Sequence, residues 1–202
     1  MRRLISLLQK ILPLIFWVIL MIGFDPLSIA VITICSAFFH ELGHVIAIYL
    51  LEKRIALPFA RKKGFAISLG MHTSYKNELI IALSGPIFNL LAFIVCTSLK
   101  QYANGYLSLL AIINLMTFVS NMLPLRGYDG HLALYSLIAI IKDHETAEKI
   151  LSPISFVFST VLVFFSLFLI LKIGEGFWIF AIFFSLLLEE IFKSNNSSKI
   201  EN

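Results

Sequence analysis

The sequence predicts an all-α polytopic membrane protein with about six transmembrane helices and one small membrane-associated β-hairpin. Three observations carry that expectation. Of the 202 residues, 59% are hydrophobic and only 14% are charged, with a mean hydropathy of +0.92, whereas soluble domains are nearer half apolar. Six apolar segments are long enough, or nearly so, to cross a hydrocarbon layer about 30 Å thick. Inside the second of them lies His40-Glu41-Leu42-Gly43-His44, a set of ionisable groups that is costly at membrane depth unless it binds something or does chemistry.

The first segment runs from about Leu4 or Ile11 to Phe24, interrupted by Gln9-Lys10 and Pro13. Its start, Met1-Arg2-Arg3, resembles a signal peptide but lacks a small-residue cleavage site, so a retained first helix is expected. Asp25-Pro26 makes a turn, with Pro26 suited to opening a helix, and the second span is Leu27 to Leu51. In the polar connection from Glu52 to Glu78, Ile55, Leu57 and Phe59 alternate with other residues before the turn Arg61-Lys62-Lys63-Gly64. Phe65, Ile67, Leu69 and Met71 then alternate with Ala66, Ser68, Gly70 and His72. Period-two alternation about a glycine-containing turn predicts a hairpin with one apolar face, and Pro58 marks its first strand as an edge.

The third span is Leu79 to Leu99, and the fourth is Tyr106 to Leu123, ending at Pro124. After a break at Leu125 to Asp129 comes a shorter apolar helix, Gly130 to Ile141. Lys142 to Lys149 is expected to be a solvated helix or loop. Phe156 to Leu171 and Phe177 to Phe192 are the last two spans, joined by Gly174-Glu175-Gly176, and the polar tail from Lys193 is expected to be disordered. The whole chain, 1–202, is expected to be one membrane-embedded domain, with a core of about 27–141, a hairpin loop of about 52–78 and a C-terminal helical pair of about 154–192.

The net charge of +4 is small, and the basic residues fall in short runs between apolar segments, a pattern of topology control rather than nucleic-acid binding. Arg2, Arg3 and Lys10 precede the first span. Lys53, Arg54, Arg61, Lys62, Lys63 and Lys76 lie in the hairpin connection, while the alternate connections carry little charge. Both termini and the hairpin are therefore expected in the cytoplasm. Cys35 and Cys96 lie in apolar segments and support no disulfide framework. Cys35, five residues before His40, falls off the ligand face and is expected to be buried and inert.

On a helix, His40 and His44 share one face and can reach one metal ion, and the adjacent Glu41 can serve as a general base on water. Two structural histidines alone would leave Glu41 needing a buried partner of its own. A catalytic zinc site takes a third protein ligand. The candidates are Asp129, His131, His72, His144, Glu52, Glu78, Glu189 and Glu190. Depth favours Asp129. The second and fourth spans both run inward, and the broken end of the fourth carries Asn121, Pro124 and Asp129 toward the level of the histidines. Irregular backbone at that depth is tolerated where it lines a cavity. The third span places Ser84-Gly85-Pro86 and Asn89 near the same level, with small residues suited to close helix packing.

These residues resemble the site-2 protease family of intramembrane zinc metalloproteases. His40-Glu41-x-x-His44 is similar to its first motif, Ser84-Gly85-Pro86 with Asn89 to its second, and Asn121-Met122-Leu123-Pro124 followed by Asp129-Gly130 to its third. The resemblance covers about Leu27 to Ile141 and implies a three-helix catalytic core there. It implies that His40, His44 and Asp129 hold one zinc ion per chain and that Glu41 activates water. It also implies cleavage of membrane-spanning or membrane-tethered protein or peptide substrates, with a prokaryotic plasma membrane as the expected location. The loop after the histidine helix is too short for the PDZ domain of many relatives, and no CBS domain is expected after the bundle.

Asn89 or Asn121 could stabilise an oxyanion, or could serve only as helix-packing hydrogen bonds. A protease whose third ligand is a downstream glutamate would use Glu189 or Glu190, which fall outside the depth-matched group. A non-catalytic metal-binding scaffold or transporter subunit would need no Glu41. The sequence names no partner beyond the bilayer and such a substrate, and carries no signal of oligomeric state. The hairpin edge could pair with an extended substrate through the strand bearing Ile67 and Leu69, or merely anchor the loop. Proline at either position is expected to slow cleavage of a membrane-tethered substrate at unchanged zinc content. Unchanged cleavage would make the hairpin an anchor.

Overall fold

The helices bury their polar and small residues and expose their large apolar ones, the reverse of a water-soluble bundle. In the computed structural model, which describes residues 27–53, 73–99, 105–173 and 177–197, Ser36, Asn89 and Ser155 are fully buried, while Phe38 and Phe164 are about two-thirds exposed. Six helices make up these residues: α1 (Leu27–Glu52), α2 (Tyr75–Leu99), α3 (Tyr106–Asn121), α4 (Asp129–Ile141), α5 (His144–Ile173) and α6 (Phe177–Ser197). Three of them, α1, α2 and α5, are long and apolar enough to cross a bilayer, whereas α3 and α4 are shorter apolar helices of 16 and 13 residues. With exteriors suited to lipid, the chain reads as an integral membrane protein. The expected first span and the expected hairpin, including Ile67 and Leu69, lie outside the described residues. Among the described residues there is no strand.

The chain divides into two units. One comprises α1, α2 from Ile80 onward and α3. Along α1 the buried positions Ser36, His40, Gly43, His44, Ala47 and Ile48 recur every three or four residues, which places them on one face. Ala47 and Ile48 pack with Ile81 of α2. The helix ends at Lys53, whose φ of 53° is the left-handed conformation that commonly closes a helix. Cys35 is exposed, contrary to the expectation of burial. Five residues is about 140° around a helix, so a position off the ligand face is turned outward here. At the start of α2, Ser74 Oγ accepts the Asn77 backbone N–H at 3.3 Å, a serine N-cap.

The other unit comprises the first turn of α2 (from Ser74 to Leu79) and the chain from Met122 onward, with α4, α5 and α6. Asp143 caps the start of α5, its two carboxylate oxygens accepting the Thr146 N–H (2.7 Å) and hydroxyl (2.9 Å). These bonds hold its pKa below the usual aspartate value. The expected solvated segment at Lys142 to Lys149 and the expected span from Phe156 therefore form one 30-residue helix, which runs through Pro153. A proline removes one helical hydrogen bond. The buried face Ala147, Leu151, Ser155 and Ser159 passes the proline at unbroken four-residue spacing, and packing of that face carries the helix on. At about 45 Å, α5 is longer than the hydrocarbon layer. Similarly, α6 continues to Ser197, past the residue where a disordered tail was expected.

Candidate metal centre

Two helix-interior glycines bring the histidine helix against α2. A Cβ on Gly43 would lie 2.6 Å from the Ser84 carbonyl oxygen and 3.0 Å from Phe88 Cγ. Conversely, a Cβ on Gly85 would collide with His44 Nε2, and would lie 2.7 Å from His44 Cε1 and 2.9 Å from His40 Cε1. Each helix thus gives up a side chain where the other approaches, as expected for small residues at a membrane helix interface. Pro86, next to Gly85, is also buried.

Hydrogen bonds then fix the chemistry of both rings. Asn89 Nδ2 donates to the Ser36 carbonyl (3.1 Å), to Ser36 Oγ (3.2 Å) and to Asn114 Oδ1 (2.8 Å). That leaves Asn89 Oδ1 as the acceptor facing His40 Nδ1 at 2.7 Å, so His40 carries its proton on Nδ1. His44 Nδ1 lies 2.7 Å from the Ile81 carbonyl oxygen, which can only accept, and is protonated too. Both Nε2 atoms therefore present lone pairs, and they face each other at 3.2 Å across nearly perpendicular rings (82°).

Two acceptors at that distance repel each other unless a cation or a shared proton sits between them. Nitrogens bound at about 2.0–2.1 Å to one tetrahedral zinc lie about 3.3 Å apart, so the imidazole pair fits the metal. His40 and His44 are both more than nine-tenths buried. Glu41 follows His40 directly and is half-buried.

The network extends away from the histidines. Ser36 Oγ donates to Asn114 Oδ1 and pairs with Thr117 Oγ1, both at 3.1 Å, and Asn114 Nδ2 donates to the Leu110 carbonyl at 2.9 Å. Asn89 is fully buried and its amide protons are committed to Ser36 and Asn114, which leaves no N–H for an oxyanion. Its geometry is that of a holder of His40. Asn121 closes α3, donating to the Thr117 carbonyl at 2.9 Å, and is half-buried. Ser84 Oγ donates to the Ile81 carbonyl at 2.6 Å.

Sequence reasoning missed Ser36, Asn114 and Thr117. Their signals were an extra polar residue four positions before His40 and isolated polar residues in an otherwise apolar helix.

In the second unit, Asp129 is the half-buried first residue of α4. Gly127, with φ of 89°, turns the chain before it. A Cβ on Gly130 would collide with the Met122 carbonyl and lie 2.8 Å from the Leu123 carbonyl oxygen, so glycine there lets the Met122–Pro124 segment lie against the first turn of α4.

The other candidate ligands are placed as follows. Glu52 accepts from Thr73 Oγ1 (2.5 Å) and Glu78 from Ser136 Oγ (3.3 Å). Glu190 is bound by Arg126 and Ser155. Glu189 and His144 are exposed, and His131 is buried. His72 lies outside the described residues.

No family model matches the chain, and no curated protein matches it in sequence. The chain is similar to the Site-2 Protease from Methanocaldococcus jannaschii, with a TM-score of 0.59 and 17% sequence identity, over 92% of this chain and 86% of that one. At this identity the likeness is one of fold.

Two substitutions test whether the imidazole pair holds zinc. Asn89→Ala should weaken zinc binding by about 10- to 100-fold, the range for losing the hydrogen-bond partner of a metal-ligating histidine. Gly85→Ala, which puts a methyl group against both rings, should weaken it at least as much. Chelator competition on purified protein measures both, and wild-type affinity in either variant would contradict the geometry.

Proposed function

We propose that this protein is an intramembrane zinc endopeptidase of the site-2 protease kind. It would cleave membrane-spanning or membrane-tethered proteins or peptides, in regulated intramembrane proteolysis or in the processing of a peptide precursor. The observation that carries the reading is the pair of Nε2 lone pairs held 3.2 Å apart beside Glu41, in a chain whose fold is similar to a site-2 protease. His40, His44 and Asp129 are the residues that would hold one zinc ion. The choice of Asp129 rests on its Asp-Gly motif after the broken end of α3.

When bound, zinc supplies the positive charge that acidifies water toward neutral pKa and polarises a peptide carbonyl. Glu41 takes the proton from the attacking water and returns it to the departing amine. Asn89 and the Ile81 carbonyl keep both imidazoles in the tautomer that offers Nε2. Asn121, whose amide has one N–H beyond that given to Thr117, is the remaining side-chain candidate for stabilising the oxyanion. The charge pattern supports a multi-pass arrangement with both termini in the cytoplasm, and the family resemblance makes a prokaryotic plasma membrane the proposed location.

Co-expression with a membrane-tethered substrate tests the assignment. Glu41→Gln should retain zinc and lose cleavage, and Asp129→Ala should lose cleavage together with zinc affinity. Cleavage retained by Glu41→Gln would remove the proposed mechanism. Zinc binding by a wild-type protein that cuts no such substrate would favour a metal-binding scaffold or transporter subunit.

A further inference from the structure

The loop that leads to Asp129 is fastened by a partly buried ion-pair network that the proposed chemistry does not use. Arg126 lies three residues before Asp129 and is held at three points. Its backbone N–H donates to Ser155 Oγ at 3.0 Å, its Nε to Glu190 Oε1 at 3.0 Å, and one terminal nitrogen to Glu148 Oε1 at 2.8 Å. Ser155 Oγ donates in turn to Glu190 Oε1 at 2.6 Å. Glu148 and Ser155 are two turns apart on α5, and Glu190 comes from α6, so both long helices of this unit grip one loop residue.

The arrangement is expensive to bury. Glu190 is 3% exposed and its second oxygen, Oε2, makes no hydrogen bond. A buried carboxylate is strongly destabilising unless paired, and Arg126 is the pairing cation. Replacing such a pair by apolar residues is often neutral or stabilising, so stability alone does not explain it. What the network does fix is position. Leu125 beside it is fully buried, and the Tyr128 N–H closes a turn onto the Leu125 carbonyl at 3.0 Å. The Tyr128 carbonyl receives the Leu132 N–H at 3.2 Å. From Leu125 to the first turn of α4, the backbone that sets the origin of the Asp129 side chain is tied at consecutive points.

We infer that Arg126 and Glu190, with Ser155, are positioning residues for the metal ligand Asp129: they hold its loop so that the carboxylate is presented without being ordered at the moment of binding. The inference rests on the proposed role of Asp129. It also gives Glu190 a role other than that of a metal ligand.

Two measurements on purified full-length protein separate this inference from the reading beneath it. Amide hydrogen exchange in the zinc-free protein reports the fastening itself: the near-isosteric Glu190→Gln should raise exchange at Arg126 and Tyr128. Chelator competition reports its consequence. Glu190→Gln and Arg126→Ala should each weaken zinc binding by about ten-fold or more. The double variant should be no weaker than the worse single one, because each already removes the Arg126–Glu190 contact, and Arg126→Lys should recover part of the loss. Unchanged exchange in Glu190→Gln overturns the inference. Faster exchange with wild-type zinc affinity overturns it too, leaving the network merely structural. A wild-type chain that binds no zinc overturns the zinc reading and the inference together, and an exchange response to Glu190→Gln would then show that the fastening exists without that purpose.

Discussion

Two imidazoles with their Nδ1 protons committed and their Nε2 lone pairs turned toward each other are the constraint on which the first unit depends. Neither ring is free to choose its tautomer: Asn89 Oδ1 takes one proton and the Ile81 carbonyl takes the other. Bringing those acceptors to the rings requires α1 and α2 to approach within the volume of a methyl group. Glycine at positions 43 and 85 permits that approach. Ser36 and Asn114 then exist to hold Asn89, so a chain of hydrogen bonds reaches from the rings to α3. In a low-dielectric interior such a chain stabilises only when every member is satisfied.

The second unit shows the same economy in a different form. Its large apolar residues face outward, and the buried Ser155 and Glu190 bond to the irregular chain between α3 and α4. Serines at 155 and 159 bond within the helix or to that loop. The buried carboxylate of Glu190 faces Arg126. Irregular backbone at membrane depth needs such partners, because lipid offers none.

Much of the candidate site was legible because its residues are chemically conspicuous in an apolar chain. A His-Glu-x-x-His helix, a Gly-Pro with a following asparagine, and an Asp-Gly after a broken helix are all rare in such surroundings. What was not legible depends on contact between helices. The role of Asn89 follows from which carbonyl meets its amide, and spacing along one chain does not reveal it. The serine-rich face of α5 carries the helix through Pro153, where local propensity favours a boundary. Cys35 is exposed although apolar sequence around a cysteine usually means burial, because in this fold the apolar side of a helix is the outer one. The helical stretch after Phe192 likewise overrides a polar composition.

In the proposed reading, the paired Nε2 atoms are a zinc site completed by a carboxylate. X-ray absorption at the zinc edge of the purified, zinc-loaded protein tests it most directly. One zinc per chain is expected, with two imidazole nitrogens and oxygen donors at about 2.0–2.2 Å, falling to one imidazole in His44→Ala. A zinc shell with a thiolate sulfur at about 2.3 Å, or one unchanged by His44→Ala, would contradict it.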